Sequence, residues 1–279
     1  MTKKIPYAIY DPEANFEAAE GVLRIFIPSG KGFINYNLVR SLRKEQFADI
    51  WRLGLTFFFD EDLKNERELT RVGAEWDMAT LLEGRDDFIG GFNHGDEAFY
   101  SFSLKIDGKY TEPYALKSLT PFKEIFITAE SLGYDPCDHK TKVLLHKKEY
   151  RINEGGVRLE QRVEWLGDYT VGSSYLAMMP PLKKLTDTYY TDISSEEKEI
   201  LIGIQEKGVR SATVLGKESG FSFRMSIPEY PRLESGGIFM ITDNGGSPYN
   251  KMYYFACKKA SVRTGEVWKS TTFYEITAK

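Results

Sequence analysis

Only three histidines occur in the 279 residues, His94, His139 and His146, and that scarcity confines acid–base chemistry to a few places. His94 lies in Phe88-Ile-Gly-Gly-Phe-Asn-His-Gly-Asp-Glu97, between glycines that free the backbone and beside Asn93, Asp96 and Glu97. A histidine next to two carboxylates is held in one tautomer and kept partly protonated. That suits proton transfer or a hydrogen bond to a sugar hydroxyl, and loops on rigid sheets commonly carry such sites. The competing reading is a hairpin loop whose Asn, His and Asp satisfy their own backbone. His146 sits inside Val143-Leu-Leu-His-Lys-Lys-Glu-Tyr-Arg-Ile152. Strand alternation puts His146, Lys148 and Tyr150 on one face. Imidazole, ammonium and phenol lining a concave sheet would make the kit of a polysaccharide lyase, a base for the proton α to a carboxylate and a cation for the enolate. The same alternation also describes an ordinary solvated outer strand.

A third constellation is the run Arg158, Glu160, Arg162, Glu164, alternating with Val157, Leu159, Val163 and Trp165. It reads as a charged outer face over a buried one. Arg158 or Arg162 there has the fork geometry to bind a carboxylate or phosphate of an anionic glycan. Tyrosines 169, 175, 189, 190, 253 and 254 offer ring faces to sugars, although most tyrosines are packing residues. The candidate catalytic residues are therefore His94, His146 and Tyr150. The candidate ligand-binding residues are Asn93, Glu97, Lys148, Arg158, Arg162 and Tyr175. No phosphate-cradling or dinucleotide-binding glycine pattern, nucleophile elbow, HExxH or CxxC occurs, so no cofactor is expected. Asp60-Glu-Asp62, Asp86-Asp87 and Asp96-Glu97 lack EF-hand spacing; no metal site is assigned, and calcium held by loop carboxylates stays open. Cys137 and Cys257 read as two unpaired thiols, one in a loop and one in a strand.

The elements that must position these residues are strands. Short apolar runs of period two dominate: Val22 to Ile27, the run from Ala98 to Ile106, Val157 to Trp165, Phe221 to Ile227, and Trp268 to Ile276. Turn signals separate them, among them Asn153-Glu-Gly-Gly156, Asp243-Asn-Gly-Gly246 and Arg263-Thr-Gly265. Between Ala98 and Ile106, strict alternation assigns Tyr100, Phe102 and Leu104 to one side and Glu97, Ser101 and Ser103 to the other. Helical signals are few. Asp192-Ile-Ser-Ser195 before an acidic run predicts a short helix near 195–203, and Phe16-Glu-Ala-Ala-Glu20 a single turn. The prediction is an all-β chain: one large antiparallel two-sheet β-sandwich spanning residues 1–279 as a single domain, with one or two short helices. Aromatic residues make up 14% of the chain, which suits pleated half-buried surfaces and excludes disorder. A net charge of −4 supplies no field for nucleic acid. No apolar run is long enough to insert in a membrane and no signal peptide is evident, so the chain is expected to be soluble and cytoplasmic as synthesised.

Two segments resemble the galactose mutarotase-like supersandwich superfamily. One is Asn93-His94-Gly95 ahead of a central strand. The other is Val262-Arg-Thr-Gly-Glu-Val-Trp-Lys-Ser-Thr-Thr-Phe-Tyr-Glu-Ile276, similar to the family's last strand, with Thr264 where the family has proline. The resemblance implies two large antiparallel sheets, a carbohydrate site in a concave face, and relatives that are sugar epimerases and lyase domains. The family's second catalytic histidine and its late glutamate have no clear counterpart here. More loosely, Asp49-Ile-Trp-Arg-Leu53, Asp87-Phe-Ile-Gly-Gly91, His94-Gly-Asp-Glu97 and Ser174-Tyr-Leu-Ala-Met-Met-Pro180 resemble phage and prophage tail-associated proteins of Gram-positive bacteria. That implies a host-recognition protein, associated with the virion and acting outside the cell.

The leading expectation is thus a carbohydrate-recognising supersandwich, a phage tail or host-surface component whose partner is a polysaccharide or cell-wall glycan. The alternatives are a polysaccharide lyase or sugar epimerase on the same fold, and a structural scaffold that forms a homo-oligomer or joins other virion proteins.

Overall fold

The period-two runs fold as strands whose inward positions follow the sequence. Along Ile125–Tyr134 every second residue is buried, from Ile125 through Ile127, Ala129 and Ser131 to Gly133. The computed structural model describes residues 4–14, 19–71, 76–231, 233, 237–243 and 245–279. Two sheets are present. The larger runs, by neighbours, through Ala19–Ser29, Gly32–Arg43, Ala48–Phe59, Glu97–Ile106, Ile125–Tyr134, Lys142–Asn153, Gly156–Trp165, Val267–Ala278, Phe221–Glu229 and Ser211–Leu215. The smaller is built on Ile238–Asp243, Asn250–Cys257 and Tyr169–Met179, with Ala79–Leu82 paired to the last of these. Pairing is antiparallel except where Ala48–Phe59 meets Glu97–Ile106 through Ala48↔Glu97 and Asp49↔Ala98. The chain is an all-β two-sheet sandwich, as the alternation predicts.

Most buried apolar side chains form one contiguous cluster, from Leu23 and Ile25 through Trp76, Trp165 and Leu176 to Tyr254, Tyr274 and Ile276. The helical expectation for 195–203 is not met. Ser194–Glu199 is a strand that pairs back on Thr188–Thr191 through Thr191↔Ser194 and Tyr189↔Lys198. Asp192 and Ile193 make the turn, and the Asp192 carboxylate accepts from the Arg210 amide, not from a helix start. The acidic run is the solvated face of an edge hairpin. The only helical pieces among the described residues are 3-10 turns at Lys44–Gln46, Pro113–Ala115 and Lys183–Leu185. The turn expected at Phe16–Glu20 lies mostly outside the described residues; Ala19 and Glu20 begin a strand. No helix among the described residues is long and apolar enough to cross a membrane.

Candidate functional site

The smaller sheet carries an aromatic face. In Asn250–Cys257 the side chains of Lys251, Tyr253 and Phe255 share one side, as alternation requires, and Met240 pairs opposite Tyr253. Tyr175 on the neighbouring strand meets Tyr253 at 5.6 Å and Phe255 at 6.3 Å between ring centroids. Phe88 extends the row, 5.6 Å from Tyr175 and 4.8 Å from the His94 imidazole. These rings, with Asn93, Met178, Tyr249 and Lys251, line a groove of about 540 Å³. The Lys251 ammonium lies 5.2 Å from the Tyr253 ring centroid. His94 closes one end. Its Nδ1 is 2.7 Å from the Asp87 carboxylate, which fixes the ring and leaves Nε2 as the second nitrogen. The loop holding Asn93 and His94 is pinned at Gly95, whose φ is +91 and where a Cβ would fall 1.9 Å from the Gln46 carbonyl oxygen. Of the residues named from sequence, Asn93, His94 and Tyr175 therefore meet in one groove.

Glu97, His146, Lys148 and Tyr150 form a second group, and it lies inside the sandwich. His146, Lys148 and Tyr150 do share a face, but it is the inner one, and each is at most 1% exposed. The Glu97 carboxylate accepts from Ser131 and stands 3.1 Å from His146 Nδ1 and 3.4 Å from Lys148 Nζ. Lys148 Nζ also donates to Asp77 Oδ2 at 2.8 Å. His146 Nε2 is 3.3 Å from Gln161 Oε1, and Gln161 donates to the Leu176 carbonyl at 2.8 Å and to Ser270 at 3.1 Å. Burial, the largest influence on Glu97, pushes its carboxyl up. Lys148, His146 and Ser131 outweigh it and hold the group below the usual carboxylate range. Burial likewise works against charge on Lys148, yet Asp77 and Glu97 raise it above its ordinary value. Burial, then Asp77 and Glu97, push the Tyr150 phenol well up.

This corrects the expectation that His146, Lys148 and Tyr150 line an open concave face. Both His146 ring nitrogens are occupied by protein groups, and a sealed imidazole offers no base to a polymer. Glu97 is inward for a reason that strict alternation misses. Between Ala98 and Ile106 the register slips: Glu130 pairs with Ser101 but Ser131 with Phe99. The slip leaves Tyr100 as the extra residue of a bulge, 56% exposed, and brings Glu97 into phase with Leu104 and Ile106. Gln161 and Asp77 were not anticipated. Gln161 occupies an inward position between Leu159 and Val163, and a polar residue at a core position is the signal that would have found it. Asp77, beside Trp76 in an irregular segment, has no comparable mark.

Arg158 and Arg162 lie on the outer face of the large sheet, in neither group. They pair with Glu160 at 2.5 Å and Glu164 at 2.8 Å. Among the described residues no cluster of three or more His, Cys, Asp or Glu is placed to hold a metal ion. Cys137 is exposed and Cys257 buried, and both are unpaired. Of the tyrosines considered as sugar platforms, Tyr253 and the largely buried Tyr175 border the groove, whereas Tyr189 and Tyr254 are core residues away from it.

No protein-family model matches the chain, and no curated protein matches its sequence. Solved structures match its fold. The galactosidase domain of an alpha-galactosidase–sucrose kinase aligns over 97% of this chain and 42% of that one, at 9% identity and a TM-score of 0.53. A galactose mutarotase-like protein from Clostridium acetobutylicum aligns over 99% of this chain and 100% of its own, at 9% identity and a TM-score of 0.48. A protein described as a putative aldose 1-epimerase, from Escherichia coli K12, aligns over 91% and 98%, at 9% identity and a TM-score of 0.41. At such identity the likeness is one of fold.

Proposed function

We propose that the chain binds carbohydrate in the groove between Phe88, Tyr175, Tyr253 and Phe255, with Asn93 and His94 reading sugar hydroxyls. The observation that carries this is a row of ring faces ending in a fixed imidazole and an amide. Aromatic faces cover the C–H faces of a pyranose, and directional polar groups at one end set its orientation. The groove volume of about 540 Å³ is that of a small-ligand site. The galactosidase domain among the fold matches agrees with this reading. Wall polysaccharide is the polymer to test first if the resemblance of the sequence to phage tail proteins extends to function.

A sugar epimerase is the second reading. The His94–Asp87 contact of 2.7 Å favours it, because a carboxylate behind an imidazole makes a competent proton acceptor. A lyase that uses His146 is not favoured by a histidine 1% exposed.

Isothermal titration against galactose, glucose, galacturonate and purified Gram-positive wall glycan tests the binding reading. Tyr253→Ala should weaken the best ligand by roughly tenfold or more, about 1.4 kcal/mol. No heat with any of the panel, or undiminished binding in the variant, would remove it. Polarimetry on fresh α-galactose separates the second reading. An epimerase accelerates mutarotation and loses that with His94→Ala, whereas a binding protein leaves the uncatalysed rate unchanged.

A further inference from the structure

A second cavity, of about 560 Å³, shares no lining residue with the aromatic groove. Of the six non-glycine residues with left-handed backbone among the described residues, Phe47 (φ 50) and His139 (φ 53) line it, and Asp96 (φ 51) stands behind His139. His139 touches both of the others. The Phe47 and His139 rings stack at 3.9 Å with an interplanar angle of 11°, and His139 Nδ1 lies 2.5 Å from Asp96 Oδ1. Backbone bonds hold the arrangement. The Asp96 amide donates to the Gln46 carbonyl, the Tyr134 amide to the Asp96 carbonyl and the His139 amide to the Asp135 carbonyl, each at 2.8 Å. Strained backbone that persists because its surroundings over-determine it concentrates at ligand sites.

Two of the carboxylates near this cavity are paired with guanidinium groups, Asp49 with Arg40 by two bonds of 3.0 Å and Asp135 with Arg85 at 2.7 and 2.6 Å. Asp96 meets His139, and Asp138 accepts from Thr141 and keeps its charge near Lys140. Lys44 and Lys140 line the cavity, are exposed, and have no ion-pair partner among the described residues. With Asp96 on Nδ1, His139 presents Nε2 as its remaining nitrogen. We propose that this cavity binds a phosphomonoester, with Lys44 and Lys140 beside the phosphate, His139 Nε2 donating to it, and Phe47 and Ala98 against the organic part. Two ammonium groups and a ring nitrogen match a phosphate dianion better than a carboxylate, which carries one charge and two oxygens.

The test is an NMR titration of the full chain with phenyl phosphate, and with phenyl sulfate as the monoanion of the same shape. Phenyl phosphate should shift the His139 and Phe47 signals to saturation, and phenyl sulfate should bind about tenfold more weakly. The double variant Lys44→Ala, Lys140→Ala alters only exposed side chains and should lower the phosphate affinity at least about tenfold. Any of three results would overturn the proposal: unmoved His139 and Phe47 signals up to about 10 mM ligand, equal binding by the double variant, or shifts confined to Tyr253 and Phe255 in the aromatic groove.

Discussion

Two carboxylates, an ammonium and an imidazole share a space with almost no solvent, and Glu97 and Lys148 are held charged by their neighbours. Removing Lys148 leaves Asp77 and Glu97 uncompensated. Lys148→Met should therefore cost about 3–5 kcal/mol in urea unfolding, whereas Arg162→Ala, in an exposed pair, should cost under about 1 kcal/mol. Equal costs would deny the network its structural role. The pH dependence follows from the directions of the shifts. Glu97 is held below its usual 4.5, so its contribution is present above that pH and is lost as pH falls through the lower folded value. Lys148 is raised above 10.5, so its contribution is present below that pH and is lost as pH rises through the folded value. The stability difference between the wild type and Lys148→Met should be level from about pH 5 to about pH 10 and shrink on the acid side. A difference that stays constant down to about pH 3 would show that Glu97 does not titrate with the network. The two thiols separate as cleanly. Burial pushes Cys257 up to about 11, while Cys137 is exposed. A thiol reagent should thus react quickly with one cysteine in the folded protein and with two in urea; two fast thiols in the native state would contradict the burial of Cys257.

At the scale of elements, the loop Phe88–Glu97 is the joint on which the groove depends. Gly95→Ala forces a Cβ into the Gln46 carbonyl and a side chain into a positive-φ backbone, so it should cost about 1–3 kcal/mol. The same change should weaken the sugar ligand, read as a lower melting temperature together with a raised Kd. A variant with unaltered binding would show that His94 does not depend on this turn. Strands with an unbroken period of two, such as Ile125–Tyr134 and Gly156–Trp165, were legible from residue types alone, and with them the sandwich. That His94 and Asn93 stand together was legible because polar groups crowd between glycines, and the structure places both in one groove. The burial of Glu97 was not, because a bulge at Tyr100 inverts the phase and leaves no compositional trace. Nor was the sealed state of His146. Alternation shows which residues share a face, but not that Asp77, 71 residues from Lys148, covers it, nor that Gln161 on the neighbouring strand meets the second imidazole nitrogen. The false helix at 195–203 has the same origin: a cap-like Asp192 and an acidic run describe a hairpin edge as well as a helix start.

Across the whole molecule, the larger sheet is continuous from Ala19–Ser29 to Ser211–Leu215, and one strand joins its two parts. Val267–Ala278 pairs with Gly156–Trp165 on one side and Phe221–Glu229 on the other. We propose that the chain unfolds as one unit. Urea transitions followed by tryptophan fluorescence and by far-ultraviolet circular dichroism should coincide. Truncation before Val267 should abolish the cooperative transition altogether, and a truncated chain that still unfolds cooperatively would mean the two parts fold independently. The placement of that strand also carries a consequence for biosynthesis. Gly156–Trp165 leaves the ribosome roughly 100 residues (267 − 165) before its neighbour, a wait of about 5–20 s at ordinary elongation rates. During that interval two strands that end as interior members of the sheet stand with open hydrogen-bonding edges, exposed to any other nascent copy.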